Sequence, residues 1–428
     1  MNILMMTNTF TPHVGGVARS VEAFMAEYQR LGHEVLVVAP VFEGMPKKET
    51  NVIRVPAIQK FNGSDFSVRL PIPGFLFPSL EQFRPDIVHS HHPFLLGDTA
   101  LRVAALRNVP LVFTHHTLYE QYTHYVPGDS PALKRFVVEL CTGYANLCDQ
   151  VIAPSESIAA VLYERGVKVP IAVIPTGVNI QRFAQGDGPK FRKAVGIPSD
   201  TFVVGHLGRL APEKNLMFLS EGVAAFLKKN KNAHFLLVGV GPLEKEIQDL
   251  FKKEGMVNRL HHVGILQGSE LVNAYHAMDL FAFASRSETQ GMVLTEAMAA
   301  GVPAVAVDAA GVREVVIDGC NGRLLSTEDL KEFASTLSWF ASLSAMERKV
   351  YSEAARETAE RFSMPQCATK ALELYRYLSA TGRGPRKVEE SLWVSTLRLI
   401  ETEWELWVNR AHAVGAALTR RRPDDKIC

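Results

Sequence analysis

Short apolar runs alternate with stretches of helical period along this chain, and the whole pattern is written twice. Residues 3–7, 34–39, 51–56, 86–90, 111–115, 150–154 and 171–175 are apolar runs of strand length. Between them, stretches such as 17–31, closed by Gly32, 98–107 and 155–165 place their apolar residues at helical spacing. Strands separated in this way by helices predict right-handed crossovers and a mostly parallel sheet. Polar sequence centred on Gly186-Asp187-Gly188-Pro189 follows, from 176 to about 200. The alternation then resumes, with strands expected at 202–207, 234–238, 260–263, 280–284 and 302–307 and helices at 215–229, 243–254, 268–277 and 294–300.

The expected fold class is therefore α/β, with two Rossmann-like doubly wound domains facing a cleft and an extra C-terminal amphipathic helix. The domains fall at 1–180 and 200–364, with a linker at 181–199, a return helix at 365–382 and a tail at 383–428. Open parallel sheets bind ligands beyond the carboxyl ends of their strands, which places the expected site in the cleft. The tail holds three of the four tryptophans, Trp393, Trp404 and Trp407, on an apolar stripe spaced by threes and fours, and it ends near Arg420-Arg421-Arg422. That pattern suits a helix lying at a membrane interface, or one packed on its own domain or on a second copy.

Composition removes several function classes. The 46 Lys and Arg against 45 Asp and Glu leave a net charge of +1, which argues against a partner bound through phosphate neutralisation, so no nucleic acid is expected. The five cysteines form no CxxC pair, and Cys141 and Cys148 on one helix would lie about 10 Å apart. Reduced thiols and a cytoplasmic location are expected, with peripheral attachment to the inner face of the cytoplasmic membrane. No apolar run reaches the ~18 residues needed to span a bilayer, and the first residues lack the basic region of a signal peptide.

Residues that could carry chemistry cluster after strands. Gly15-Gly16 precedes a helix, where paired glycines let backbone N–H groups approach a phosphate or simply make a tight turn. Arg209 and Lys214 follow the first strand of the second repeat, as diphosphate ligands or as solvated surface cations. Gly239 and Gly241 form another glycine turn between strand and helix. The run from Ser285 to Pro303 holds Glu288 in a loop and Glu296 in the following helix, with Gly291, Met292 and Val293 between them. A carboxylate beside a helix start can accept sugar hydroxyls, and one further in can hold a ribose. His89, His91, His92, His115 and His116 close two strands. They could converge on a metal or on one end of a sheet, but no acidic partner has ligand spacing, and no metal is expected. The Pro-rich apolar stretch 70–78 would form either an exposed patch or a core-packed loop.

The run from Glu288 to Glu296 resembles the E-x7-E motif of retaining glycosyltransferases of the GT-B fold in family 4, and the likeness extends in order to about residue 380. The resemblance implies a UDP- or GDP-hexose donor and no bound metal or other cofactor. It gives Gly15, Gly16, Arg209, Lys214, Gly239, Gly241, Gly291, Met292 and Val293 to the donor, Glu288 to the sugar hydroxyls and Glu296 to the ribose. The segments at 61–67 and 113–125 are similar to bacterial diacylglycerol glucosyltransferases, which implies that His116, Tyr119, Tyr122 and Phe66 meet a lipid acceptor. His116, Glu288, Arg209 and Lys214 would then carry the transfer. A soluble sugar-phosphate or inositol-phosphate acceptor is the second reading, and a catalytically weak membrane-associated scaffold is the third. A dinucleotide oxidoreductase is disfavoured, because the first glycine turn is not G-x-G-x-x-G and Ala39-Pro40 stands where an acidic residue would be needed.

Overall fold

A computed structural model describes residues 1–13, 15–58, 68–69, 80, 82–125, 129–381 and, in the tail, 402, 405–406, 408–410, 412–414 and 417. The chain divides into two compact units, Met1–Pro175 with Cys367–Cys428, and Thr176–Gln366.

In the first unit the strands are β1 (Asn2–Met6), β2 (Glu34–Pro40), β3 (Val52–Val55), the short antiparallel pair β4 (Ala57–Ile58) and β5 (Val68–Arg69), β6 (Ile87–Ser90), β7 (Leu111–Thr114), β8 (Gln150–Ala153) and β9 (Ile171–Val173). Seven of them form one parallel sheet in the order β3-β2-β1-β6-β7-β8-β9. Ile3 stands opposite Val35 on one side and Ile87 on the other. Ile3, Leu4, Met5 and Met6 are all fully buried, because crossover helices cover both faces of the sheet. The strand order reverses direction at β1, and such a switch point is where open parallel sheets take ligands, beyond the carboxyl ends of β1 and β6.

The described part of the tail packs on the first unit. Leu406 and Ala413 are buried, Asn409 Nδ2 donates to the Leu140 carbonyl at 3.2 Å, and Arg410 donates to Asp98 at 2.5 Å. Arg135 donates to the Ala417 carbonyl at 3.2 Å. A Cβ built at Gly143 would stand 1.7 Å from Asn409 Oδ1, so the helix Pro131–Asn146 makes room for the tail by having no side chain there. Trp393, Trp404 and Trp407, like the stretch 70–78, lie outside the described residues. Among the described residues no helix is long and apolar enough to cross a membrane, and Cys141, Cys148, Cys320 and Cys367 are free thiols.

The second unit holds β10 (Phe202–Leu207), β11 (Ala233–Val238), β12 (Leu260–His262), β13 (Leu280–Phe283), β14 (Ala304–Val307) and β15 (Gly322–Leu325), in the order β12-β11-β10-β13-β14-β15. Its residues sort by strand parity into two cores. Val203, Leu236, Phe281 and Phe283 face one side, and Val204, Phe235, Leu237 and Ala282 face the other. The stretch expected as a linker, 181–199, carries the short helices Ile180–Phe183 and Gly188–Ala194. Val178, Phe183, Phe191 and Ile197 from this region enter the first of those cores.

Three further elements of the second unit's C-terminal half were not expected either. Gly322 and Arg323 disguise β15, yet a Cβ at Gly322 would lie 2.0 Å from the Ala304 carbonyl oxygen, so only glycine lets the strands approach. The helices Leu330–Ser342 and Ala345–Arg361 begin at Asp329 and Ser344. The second carries a capping box, with Ser344 Oγ accepting from the Glu347 N–H and the Glu347 carboxylate accepting from the Ser344 N–H.

Gly143→Val forces a branched side chain into the space of Asn409. It should release the tail and cost roughly 1–3 kcal/mol of stability. Limited proteolysis should then cut within 402–417 faster than in the wild-type chain, and an unchanged cleavage rate would contradict the packing described above.

Candidate functional site

In the second unit the polar residues gather where the strands end. β10 runs into Gly208 and the exposed Arg209, and the loop is fixed from behind by backbone. Gly208 N donates to the Val238 carbonyl at 3.0 Å and Leu210 N to the Val240 carbonyl at 2.9 Å. A Cβ at Gly239 would stand 1.9 Å from the Gly208 oxygen, and one at Gly241 2.3 Å from the Leu210 oxygen. Gly239 also has φ +133°, a conformation that side chains disfavour. Both glycines thus have a packing reason: they let a second turn support the loop that carries Arg209.

Lys214 ends a short turn of helix, Pro212–Lys214, and its Nζ donates to Glu288 Oε1 at 2.6 Å. Burial raises the Glu288 carboxyl, but the Lys214 charge and hydrogen bond, joined by a hydrogen bond from Ser285, outweigh it and leave the pKa lowered. Glu288 is therefore ionised at neutral pH. Behind the pair, His206 lies fully buried and stacked on Phe281 and Phe283, and its Nδ1 donates to the Ala282 carbonyl at 2.9 Å. Burial pushes its pKa down to about 4, so the ring is neutral.

Gln290 ties the loop to the segment before the sheet. Its Oε1 accepts from Thr176 N and its Nε2 donates to the Thr176 carbonyl, both at 2.6 Å. Gly291 then turns through the left-handed region (φ 69°, ψ 51°) into the helix Met292–Ala299, which has no side-chain cap and no acid in its first turn. The helix Gly16–Arg30 of the first unit, preceded by Gly15, has the same two features. By contrast Ser130, Ser155, Asp187, Asp329 and Ser344 cap the helices that follow them. Uncapped N-termini with no first-turn acid suit an anion. Glu296, in the second turn, is buried and accepts from the Tyr275 hydroxyl at 2.7 Å.

In the first unit the histidines meet at the carboxyl ends of β6 and β7. Tyr28 donates to the Tyr375 hydroxyl at 3.3 Å, which meets His89 Nδ1 at 2.6 Å, and His89 Nε2 meets Thr114 Oγ1 at 2.7 Å. His92 Nδ1 accepts from Asn8 N at 3.1 Å. His91 Nδ1 lies 2.9 Å from His116 Nε2. His115 is buried with no hydrogen-bond partner on either ring nitrogen. Burial pushes His89, His92, His115 and His116 down to about 3, with repulsion from neighbouring histidines adding to it at His89 and His92 and from Arg165 and His116 at His115. His91 is lowered well below the ordinary range, first by burial and then by its histidine neighbours. The cluster is neutral at neutral pH. Among the described residues no group of three His, Cys, Asp or Glu side chains is arranged to hold a metal ion.

Of the residues singled out in the sequence, Arg209, Lys214, Glu288, Gly291, Met292, Val293 and Glu296 lie on the loops and the helix start just described, with Gly239 and Gly241 behind them. Gly15, Gly16 and His116 lie in the first unit. Tyr119 and Tyr122 share the short helix Tyr119–Tyr125, where Tyr119 packs edge-on to Phe94 and His115. Phe66 lies outside the described residues. Gln290, Tyr275, Tyr375, Thr114 and His206 were not anticipated, because each is tied to its site by a partner distant in sequence.

Comparison with known proteins gives consistent matches. The profile for "Glycosyltransferase Family 4" matches residues 14–182, and that for "Glycosyl transferases group 1" matches residues 187–358. The chain is 30% identical over 314 residues to an alpha-monoglucosyldiacylglycerol synthase of Streptococcus pneumoniae, covering 72% of this chain and 71% of the relative. It is also 30% identical over 387 residues to a GDP-mannose-dependent alpha-mannosyltransferase of Mycobacterium tuberculosis, covering 88% and 96%. The Anabaena protein HepE, solved in complex with UDP-glucose, superposes with a TM-score of 0.70 at 22% identity over 88% of this chain and all of that one. A sucrose-phosphate synthase from Thermosynechococcus elongatus does so with a TM-score of 0.72 at 20% identity over 89% of this chain. At such identities the likeness carries the fold.

The depressed histidines make a pH prediction. Unfolded histidines take up protons near pH 6.5, whereas the buried rings refuse them until about 3. Stability is therefore full above about pH 6.5 and is lost as pH falls, by roughly 1.4 kcal/mol per pH unit for each such ring. His115→Phe should remove one ring's share and flatten the slope by that amount, while leaving stability at about pH 7.5 within ~1 kcal/mol of wild type. Urea titrations across that range measure both quantities, and an unchanged slope would refute the assignment.

Proposed function

This chain belongs to the family 4 glycosyltransferases, and on that premise we propose that it is a retaining hexosyltransferase that moves a sugar from a nucleotide diphosphate donor to a diacylglycerol-type lipid. The observation that carries the reading is the charged arrangement at the strand ends of the second unit. There, Lys214 and Glu288 are paired at 2.6 Å, Arg209 stands exposed nearby in the fold, and the helix Met292–Ala299 starts without a cap. Cations and an open helix N-terminus suit the diphosphate, whose negative charge grows as the bond to the sugar breaks. Gly15 and Gly16, at an uncapped helix start of the first unit, are assigned to the same group, and Gly239 and Gly241 hold the Arg209 loop in place.

Glu288 takes sugar hydroxyls, and Glu296, oriented by Tyr275, takes the ribose. His116 is a neutral ring that positions the hexose or the acceptor hydroxyl. In the transfer the bond from the anomeric carbon to the phosphate oxygen breaks, and a bond to the acceptor oxygen forms on the same face. The acceptor proton passes to the departing phosphate, so no protein nucleophile or metal is required. The lipid acceptor is supported by the segment 113–125 and by the monoglucosyldiacylglycerol synthases of Streptococcus pneumoniae and Acholeplasma laidlawii among the relatives. A second reading, a soluble inositol phosphate acceptor, is supported by D-inositol 3-phosphate glycosyltransferases of comparable identity. Peripheral attachment to the membrane follows from a lipid acceptor.

Purified protein incubated with a panel of UDP- and GDP-hexoses and either diacylglycerol vesicles or inositol phosphate separates the two readings by mass spectrometry of the product. The proposal expects a lipid product in which NMR shows the anomeric configuration of the donor, and it expects Glu288→Gln to lower turnover roughly 100-fold or more with the fold intact. An inverted product or wild-type turnover in Glu288→Gln contradicts the mechanism, and a product only with inositol phosphate contradicts the acceptor.

A further inference from the structure

Gly239 and Gly241 support the Arg209 loop from behind, and one side chain of the neighbouring strand reaches across to hold that support. His262, the last residue of β12, is half-buried, and its ring Nε2 lies 2.6 Å from the Gly239 carbonyl oxygen. A carbonyl can only accept, so this Nε2 carries a proton whatever the charge of the ring. Nδ1 lies 3.4 Å from Glu244 Oε1 and 3.5 Å from Gln248 Nε2, both on the helix Glu244–Lys253. The adjacent His261 turns to the other face of the strand. There its Nδ1 meets the Val195 carbonyl at 3.0 Å and its Nε2 lies 2.8 Å from His234 Nδ1. Of the two histidines that end β12, it is His262 that meets the glycine turn.

Gly239 is thereby tied on both sides to the end of β12. Its N–H donates to the Gly264 carbonyl at 2.7 Å, and its carbonyl accepts from His262. With φ +133° and no side chain, this residue turns easily about both of its backbone bonds unless its peptide groups are held. The next carbonyl along, that of Val240, accepts from Leu210 N at 2.9 Å, and the Leu210 carbonyl accepts from Leu243 N at 2.9 Å. Rotation of the Gly239 carbonyl would tilt the Val240 peptide and draw Leu210, with Arg209 beside it, out of place. We propose that His262 is a positioning residue for the donor site: it fixes the Gly239 carbonyl so that the 208–210 loop presents Arg209 to the diphosphate. The role toward the diphosphate rests on the glycosyltransferase reading above, whereas the brace on the loop does not.

The full-length chain tests this with two variants. His262→Leu removes the donor, and His262→Gln puts an amide N–H where the ring Nε2–H stood. Without ligand, hydrogen exchange at the amides of Gly208 and Leu210 should be faster in His262→Leu than in wild type and near the wild-type rate in His262→Gln. Calorimetry with UDP and GDP should show His262→Leu binding the preferred nucleotide about tenfold more weakly, the value of one hydrogen bond, and His262→Gln recovering most of that loss. A ring that served stability alone would lower the unfolding midpoint and leave both the two amides and the affinity unmoved. Unchanged exchange at those amides in His262→Leu, unchanged affinity, or equal losses in both variants would overturn the proposal. If neither variant folds, nitrogen NMR of the wild-type chain with labelled histidine decides: His262 Nε2 should be protonated at about pH 8, where an unheld neutral ring shares its proton between the two nitrogens, and a bare Nε2 would overturn the proposal. A wild-type chain that binds neither nucleotide, with exchange at 208 and 210 altered as stated, would count against the glycosyltransferase reading alone.

Discussion

Both units are built on parallel sheets, and that constraint shapes everything else. A parallel strand enclosed by crossover helices has no solvent face, so its interior positions are apolar on both sides, as Ile3–Met6 and the two cores around β10 and β13 illustrate. Groups able to do chemistry are pushed to the carboxyl ends, where the chain leaves the sheet. Thr7 to His13, His89 to His92, Thr114 to His116, Gly208 to Lys214 and Ser285 to Gly291 all stand at such ends. Glycines at 239 and 322 serve the same constraint, each admitting a carbonyl where a side chain would collide.

The two sets of strand ends have opposite electrostatic characters. In the second unit an ionised Glu288 is held by Lys214 near an uncapped helix start, an arrangement suited to anionic groups and hydroxyls. In the first unit five clustered histidines, four of them buried and His116 half-buried, are kept neutral by desolvation, so they can donate or accept hydrogen bonds without carrying charge. Tyr375, from the helix Met364–Thr381, anchors the histidine set through His89, and Tyr28 anchors Tyr375 in turn. A charged leaving group and an uncharged hydroxyl acceptor would place these two demands on the chain.

Much of this was legible in the sequence, because apolar strands and periodic helices are local signals. The strands of both sheets fall within a few residues of their expected places, apart from β15, whose Gly322 and Arg323 read as a turn. The 181–199 stretch looked like a linker because its glycines, proline and aspartate outweigh a few widely spaced apolar residues, yet Phe183, Phe191 and Ile197 are core. Long-range partners are the other blind spot. The Lys214–Glu288 ion pair spans 74 residues, Gln290 reaches back 114 to Thr176, and Tyr375 meets His89 across 286. Each member was visible as a residue type, but nothing local in the sequence says which will meet. The capping box at Ser344 and Glu347, by contrast, is a local signal, S-x-x-E, written in the sequence itself.

Hydrogen exchange with and without UDP tests most directly the proposed donor diphosphate site at the second unit's strand ends. Added UDP should slow exchange of backbone amides at 208–214 and at 288–296, around Arg209, Lys214 and the helix start after Gly291. Protection confined to other segments, or none at saturating UDP, would contradict the assignment.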